Sequence, residues 1–234
     1  MKEKSEWTAK LALTCYLALV GGIFMASLIM GIALLGLRTD YLDLPFPIAL
    51  ISIPVSETII LGITLLFAKS KGSGLKTLGL KKASLRILTI VSFAAVPLFL
   101  LGAGISIAQE MVFGPDPMTE LIEKALAPRD PFQLAAMIAL SLVVVGPCQE
   151  LAFRGFVQRG LENSFGKMKG LFIASVLFGL VHGLNSLHSI APAFFGGLIL
   201  GYVWQRTDRN TTASALMHGT NNSISIALTY FLTV

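Results

Sequence analysis

Three polar side chains stand close together at the end of a long apolar run, in the stretch PCQELAFRG at residues 147–155. Glu150 and Arg154 are four residues apart, so they share one face of a helix and can form an ion pair. Gln149 points about 100° away around that helix and faces a different neighbour. The pair by itself favours a structural role, because each charge neutralises the other. Ionisable groups inside a membrane span are nevertheless costly and mark a functional site by default.

Two histidines lie in later apolar runs, each with a partner at helical spacing. Phe178 and His182 are four residues apart, and so are His218 and Asn222. A single histidine in such a run is commonly an interhelical hydrogen-bond donor. Two histidines on separate segments, beside a third segment that carries an acid, favour one shared functional site over independent packing roles.

Prolines next to polar side chains indicate a cavity. Pro147 follows Gly146 and removes one backbone hydrogen bond, which leaves a polar carbonyl near the ion pair. Inside a membrane, such backbone survives only against protein or a water-filled cavity. A second acid, Glu57 in the stretch PVSETII, has two equally supported interpretations. It is either an acid near a proline kink, hydrogen-bonded by Ser56 or Thr58, or a residue at the rim of the cavity.

The composition identifies the class of protein that must position these residues. Of 234 residues, 54% are hydrophobic and 13% are charged, and the mean hydropathy is +0.76. A soluble domain carries roughly twice this charge density, so we predict an all-α, polytopic membrane helix bundle. About 20 apolar residues span a bilayer as a helix, which gives about seven transmembrane helices. They fall within residues 11–37, 44–68, 87–108, 132–148, 169–206 (two helices) and 211–234.

The distribution of basic residues predicts the orientation of this bundle. We treat residues 1–234 as a single membrane domain, with N-terminal helices in 1–131 and a motif-bearing core in 132–234. With a cytoplasmic N-terminus, only Arg38, Lys124 and Arg129 of the 18 Lys and Arg residues fall outside, the asymmetry expected for short loops. The net charge of +5 is therefore a topology signal and requires no nucleic-acid partner. Residues 118–126 are spaced for a short amphipathic helix on the outer side.

The order of the polar motifs resembles that of a known family. A diacidic Glu-Glu-x-x-x-Arg motif, then Phe-x-x-x-His, then His-x-x-x-Asn, each on its own membrane helix, is similar to the CPBP group. This group comprises the CAAX-prenyl endopeptidases and their bacterial relatives, the Abi proteins. Here the motifs read QELAFR (149–154), FGLVH (178–182) and HGTNN (218–222), and the resemblance covers the chain from residue 132 onward.

The resemblance implies an intramembrane endopeptidase that hydrolyses a peptide bond in a membrane-associated or prenylated substrate by water attack. It implies that Glu150 and Arg154 hold the geometry and charge of the site. His182 and His218 would polarise the scissile carbonyl, stabilise the oxyanion or bind a metal, and Asn222 would complete the oxyanion contacts. The size of the chain and the lack of appended domains favour an integral protein of a prokaryotic plasma membrane.

The chain departs from the family pattern at Gln149, which occupies the position of the first glutamate, the general base. An amide cannot take a proton from water near neutral pH, so a contribution of about 10²–10⁴-fold should be lost. Either Gln149 is an introduced Glu→Gln substitution that disables turnover, which the intact remaining motifs favour, or the chain is a natural non-catalytic member. Two histidines and an amide make a poor zinc site, so we expect no bound metal, although a Gln149→Glu form could hold zinc.

Two other functions stay open at the level of sequence. One is a non-catalytic pseudoprotease that binds a peptide or a lipid, and the other is a proton-coupled transporter, since acids and histidines inside a bundle also suit a proton relay. For the endopeptidase, we predict one polar cavity in the inner half of the membrane that Gln149, Glu150, His182, His218 and Asn222 line. Gln149 should lie within about 8 Å of both histidines, a reach that one bridging water sets.

Overall fold

The computed structural model describes residues 7–37 and 46–233, and within these residues the chain is helical with no strand. Lys2, Lys4, Arg38 and the first residues of the second predicted span lie outside the described residues. The helices, in chain order, are α1 (Ala9–Leu37), α2 (Phe46–Lys69), α3 (Leu85–Phe113), α4 (Pro117–Leu126), α5 (Pro131–Phe165), α6 (Lys167–His182), α7 (Ile190–Arg206) and α8 (Thr211–Thr233).

Seven long helices in this described part follow the seven predicted segments, which confirms the all-α membrane bundle. Five of them are both long and apolar enough to cross a membrane: α1, α2, α3, α5, and α7 with the short 3-10 turn before it. Helix α6 has only 16 residues, about 24 Å at 1.5 Å per residue. Helix α8 carries the polar stretch HGTNNS, so it is less apolar than the other long helices.

Local capping residues explain where several helices begin and end. Asp116 caps α4 and Asp130 caps α5, and each is followed by a proline in the first turn, where a missing N–H costs nothing. Helix α4 is the amphipathic helix that the spacing of residues 118–126 predicted. Gly166 has φ +84° and separates α5 from α6, because a left-handed conformation there favours glycine.

The helix that carries the first motif, α5, is not a regular α-helix. Two π-helical segments, Ser141–Val145 and Leu151–Gln158, flank the α-helical turn Gly146–Glu150. The helix therefore continues through Pro147 to Phe165 instead of stopping after the motif. Such π segments inside α-helices are frequent at functional sites.

The two ends of the bundle differ in composition. At the first, which we call the basic end, the segment between α2 and α3 packs on the start of α8: the N–H of Thr211 donates to Gly79 O (2.9 Å). The start of α1 also lies here, where the N–H of Ala9 donates to Ser164 Oγ (2.8 Å). At the opposite end, the α4 end, the hydroxyl of Thr119 donates to Ser186 Oγ (2.7 Å), beyond the end of α6.

The largest apolar core joins α1, α2, α5 and α6. Its aromatic members include Trp7 and Phe156, whose ring centroids are 4.8 Å apart, and Phe153 and Phe178 at 4.9 Å. A second apolar cluster joins α3, α7 and α8. The motif helix α5 thus has packed neighbours along most of its length, which fixes the positions of its polar residues.

Candidate active site

Glu150 is the centre of a buried charge cluster. Its Oε2 accepts from Arg154 Nε (3.0 Å), and its Oε1 lies 3.1 Å from His218 Nδ1. The side chains of Glu150 and Arg154 are 0% exposed. Both carboxylate oxygens are therefore engaged, and Glu150 holds Arg154 and His218 in place.

The ring of Phe178 brings the three motifs together. The His182 ring centroid lies 4.5 Å from it, the His218 ring centroid 5.9 Å, and the Arg154 Cζ 4.7 Å. A guanidinium over an aromatic face is stabilised by the ring quadrupole. The sequence indicated Phe178 only as a helical neighbour of His182, whereas here it contacts residues from α5, α6 and α8.

Hydrogen bonds define which nitrogen of each histidine carries a proton. The Nδ1 of His182 lies 2.8 Å from the backbone O of Phe178, and a carbonyl can only accept. The Nδ1 of His218 faces the Glu150 carboxylate, which accepts as well. In both cases Nδ1–H donates, so that the Nε2 of each ring is left for other chemistry.

Gln149 is paired with an acid from another helix. Its Nε2 donates to Glu57 Oε1 at 2.6 Å, although the two residues are 92 positions apart in the chain. The hydroxyls of Ser56 and Thr58 donate to backbone carbonyls of Ile53 and Pro54 instead. Of the two interpretations of Glu57, the structure therefore favours the one at the cavity.

Two cavities meet at this pair. One, of ≈ 330 Å³, is lined by Glu57, Gln149 and His182, and the other, of ≈ 400 Å³, by Glu57, Gln149 and Asn222. Asn185, just after α6, borders both. Glu150, Arg154 and His218 border neither and lie behind the cavity wall. The prediction that one cavity exposes all the motif residues is therefore wrong, because the π-helical stretch that follows Glu150 is packed inside the core.

Gln149, which lines both cavities, lies near the middle of α5. It is about 24 Å from the end of this helix at Phe165 and about 27 Å from its start at Pro131. The cavity walls also include the later half of α1, the middle of α2 and, for the second cavity, α4 and the later half of α8. The position of the site in the inner half of the membrane stays a prediction.

Close backbone contact between α5 and α8 explains why Glu150 and His218 meet. A Cβ on Gly146 would lie 2.6 Å from Ala215 O, and a Cβ on Gly219 would lie 2.7 Å from Ser141 O. Only residues without a side chain allow the two helices to approach this closely. The carboxylate on one helix then reaches the imidazole on the other directly.

A metal at this site would need ligands from the residues around the cavities. Among the residues that the structure describes, no group of three His, Cys, Asp or Glu side chains is arranged to hold a metal ion. The Nε2 atoms of both histidines are available in principle, but the amide of Gln149 is a weak ligand for zinc. We therefore derive no catalytic step from a metal.

Comparison with known proteins agrees with the motif order. Residues 131–224 match the family model described as type II CAAX prenyl endopeptidase Rce1-like, and this region contains all three motifs. No curated protein and no solved structure matches the chain. With several long apolar helices, the chain is an integral membrane protein. Residues 131–224 are thus similar to the Rce1-like group of type II CAAX prenyl endopeptidases.

Proposed function

We propose that this protein is an intramembrane endopeptidase that hydrolyses a peptide bond in a membrane-associated or prenylated substrate. The observation that carries the proposal is the shared position of the motifs: His182, His218 and Arg154 surround Phe178, and His182 lines the same cavity as Gln149. Residues from three helices that meet at one cavity favour joint chemistry over separate packing roles.

His182, Asn222 and Glu150 have defined roles in this proposal. In its protonated form, His182 donates from Nε2–H to the scissile carbonyl in the first cavity, and the NH₂ group of Asn222 stabilises the developing oxyanion from the second. Donors that are already oriented toward developing charge are commonly a large term in hydrolysis. Glu150 acts as a positioning residue, since it fixes the ring of His218 and neutralises Arg154.

The substrate class follows from the walls of the first cavity. Apolar residues of α1 and α2 form part of its lining, among them Ile23, Met30 and Ile60, and they alternate with polar residues from several helices. A peptide that carries an apolar chain, or that continues into a membrane helix, fits this mixed lining. We place this cavity in a prokaryotic plasma membrane, with the N-terminus of the protein in the cytoplasm.

The test is cleavage of quenched fluorescent peptides, prenylated and unprenylated, by the full chain in liposomes. His182→Ala should lower kcat by at least about 10²-fold, the low end of the contribution of a positioned catalytic group. His218→Ala should lower kcat as well, because the His218 ring packs on Phe178 beside His182 and helps to position it. His188→Ala is the matched control, because this histidine lies in the 3-10 turn before α7 and lines neither cavity. Equal rates for all three variants would contradict the proposal.

A second candidate function rests on Gln149 itself. An amide at the position of the family's base suits a pseudoprotease, which binds the same peptides without cutting them. The two candidates differ in one measurement: a pseudoprotease would retain a peptide that can be recovered intact after long incubation. An endopeptidase would release two fragments.

A further inference from the structure

We infer that Glu57, on α2, is the general base of this protein and supplies the carboxylate that the first motif lacks. This inference rests on the proposed endopeptidase function and adds a catalytic residue from outside the matched region 131–224. It reinterprets Gln149 as a partner that orients the base.

The first observation is the direct contact between the two side chains. Gln149 Nε2 donates to Glu57 Oε1 at 2.6 Å, and Glu57 is only 4% exposed. A carboxylate accepts but cannot donate, so the NH₂ group of the amide must face it. The carboxylate thus stands beside the position that a motif glutamate would occupy.

The second observation concerns two acceptors that have no donor. Glu57 Oε2 and Gln149 Oε1 are shielded from solvent, and neither accepts a hydrogen bond from the described part of the chain. Native structures rarely leave buried acceptors without a donor. Both side chains line the two cavities, and a small rotation of either one would allow a water there to donate to its free oxygen. The pair is therefore suited to hold and orient a water.

The other titratable groups nearby are less suited to this role. Both oxygens of Glu150 are engaged by Arg154 and His218, behind the cavity wall. Glu123 of α4 borders only the second cavity. Cys148 of α5 lies close enough to interact with Glu57 electrostatically, but it lines neither cavity. His182 borders the first cavity, and its Nδ1 is committed to Phe178. Glu57 alone of these groups combines a free oxygen with a position in both cavities.

The chemical step balances with these groups. Glu57 takes one proton from the water as the water oxygen bonds to the scissile carbonyl carbon, which gives a tetrahedral intermediate. The carbon–nitrogen bond then breaks, and Glu57 returns that proton to the leaving amine nitrogen. The products are a carboxylic acid and an amine, and the carboxylate of Glu57 is regenerated. No further reactant is required.

This assignment changes the effect expected of Gln149→Glu. If Gln149 merely disabled the enzyme, restoring glutamate would raise the rate by at least about 10²-fold. With Glu57 as the base, the same change places two carboxyl groups in hydrogen-bond contact. Like charges at this distance do not both ionise, so one proton stays shared between them. We therefore expect no gain in kcat from Gln149→Glu.

The experiment compares five variants with the unmodified chain, using the peptide cleavage assay in liposomes, and Gln149→Glu is the first of them. Glu57→Gln should lower kcat by about 10²–10⁴-fold, with little change in KM. The exchanged pair Glu57→Gln/Gln149→Glu should have a kcat at least about tenfold higher than Glu57→Gln alone, because the carboxylate and the amide remain paired with their roles reversed. Glu57→Asp should displace the acidic limb of the pH–rate profile, which a structural residue would not do. Thr58→Val is the matched control, since Thr58 is exposed and lines neither cavity.

The outcomes separate this inference from the proposed function. If Glu57→Gln cleaves at the normal rate while His182→Ala does not, Glu57 is not the base and the endopeptidase proposal stands. If the protein cleaves peptides only after Gln149→Glu, the base is the motif glutamate, and again Glu57 is not the base while the endopeptidase proposal stands. If no form cleaves any peptide, both proposals are overturned. A third outcome also overturns the base assignment. In it the variants fold, Glu57→Gln lowers kcat, the exchanged pair does not recover the rate, and Glu57→Asp leaves the pH–rate profile unchanged.

Discussion

Arg154 depends on a single carboxylate for its charge balance. Its guanidinium is fully buried, and its Nε donates to Glu150, while its two terminal nitrogens have no hydrogen-bond partner among the described residues. The face of Phe178 offers partial compensation. Removing one partner of a buried pair leaves an unbalanced charge, which is far costlier than losing an exposed pair. Glu150 is thus expected to matter for stability as well as for the site.

At this scale, Glu150→Gln should lower the free energy of unfolding by about 3–5 kcal/mol, because the charge of Arg154 loses its counter-ion. The measurement is reversible unfolding in mixed detergent micelles, monitored by circular dichroism. Glu120→Gln is the matched control: Glu120 forms an exposed i,i+4 pair with Lys124 on α4, and such pairs contribute little. Equal unfolding curves for the two variants would show that the buried pair is not a stability determinant.

At the scale of elements, the second π segment of α5 touches backbone from the segment between α2 and α3. A Cβ on Gly155 would lie 2.4 Å from Leu78 O, and Arg159 NH1 donates to the nearby Thr77 O. Thr211, at the start of α8, donates its hydroxyl to the same Leu78 carbonyl (2.6 Å). The segment between α2 and α3 therefore links α5 to α8 at the basic end of the bundle.

Gly155→Ala should accordingly destabilise the bundle by about 1–3 kcal/mol, since backbone atoms rather than a flexible side chain must move. The matched control is Gly104→Ala in α3, where an added Cβ would meet nothing within 4 Å. Alanine also favours helix over glycine, so the control should keep or slightly raise the melting temperature. Thermal unfolding of the purified proteins in detergent compares the two. A stable Gly155→Ala protein would show that α5 can shift away from Leu78.

At the scale of the whole molecule, the bundle separates charge between its two ends. At the basic end, four basic residues lie within or next to the last two turns of helices: Arg159, Lys167, Arg206 and Arg209. Lys81 also pairs with Asp208 there (3.1 Å). The α4 end carries Asp116, whose pKa is lowered by the hydroxyl of Ser186, which donates to it. The start of α1 lies at the basic end, and the end of α8 lies at the α4 end.

This arrangement predicts that the two termini lie on opposite sides of the membrane. Cytoplasmic loops retain the Lys and Arg residues, so a reporter at the N-terminus should read as cytoplasmic and one after Val234 as non-cytoplasmic. Paired alkaline phosphatase and green fluorescent protein fusions give the measurement, with a fusion in the loop before α4 as an independent control. Two cytoplasmic termini would mean that an even number of helices crosses the membrane.

The sequence predicted the helices well because a bilayer leaves the backbone few alternatives. Every N–H and C=O in the apolar core must be satisfied within the segment, so charge-free runs become helices. The Glu150–Arg154 pair followed from four-residue spacing in the same way. Long-range contacts could not be predicted from the sequence, because nothing in the local sequence indicates that Glu57 contacts Gln149. The one available indication was that Glu57 is a single acid in an otherwise uncharged span, which marks a functional position. The glycine contact that joins α5 to α8 depends on three-dimensional approach and has no periodic signature.

Under the proposed endopeptidase function, the two cavities that meet at Glu57 and Gln149 also determine how the fragments of a cleaved substrate leave. A substrate whose scissile bond lies at the junction has one flank in the ≈ 330 Å³ cavity and the other in the ≈ 400 Å³ cavity. Neither flank needs to be a free terminus, so cleavage in the middle of a polypeptide is accommodated. After hydrolysis the two fragments occupy different chambers and depart independently. Each fragment should then inhibit the enzyme by itself, and the two should bind at the same time. Together they should therefore inhibit more strongly than two inhibitors that exclude each other from one site.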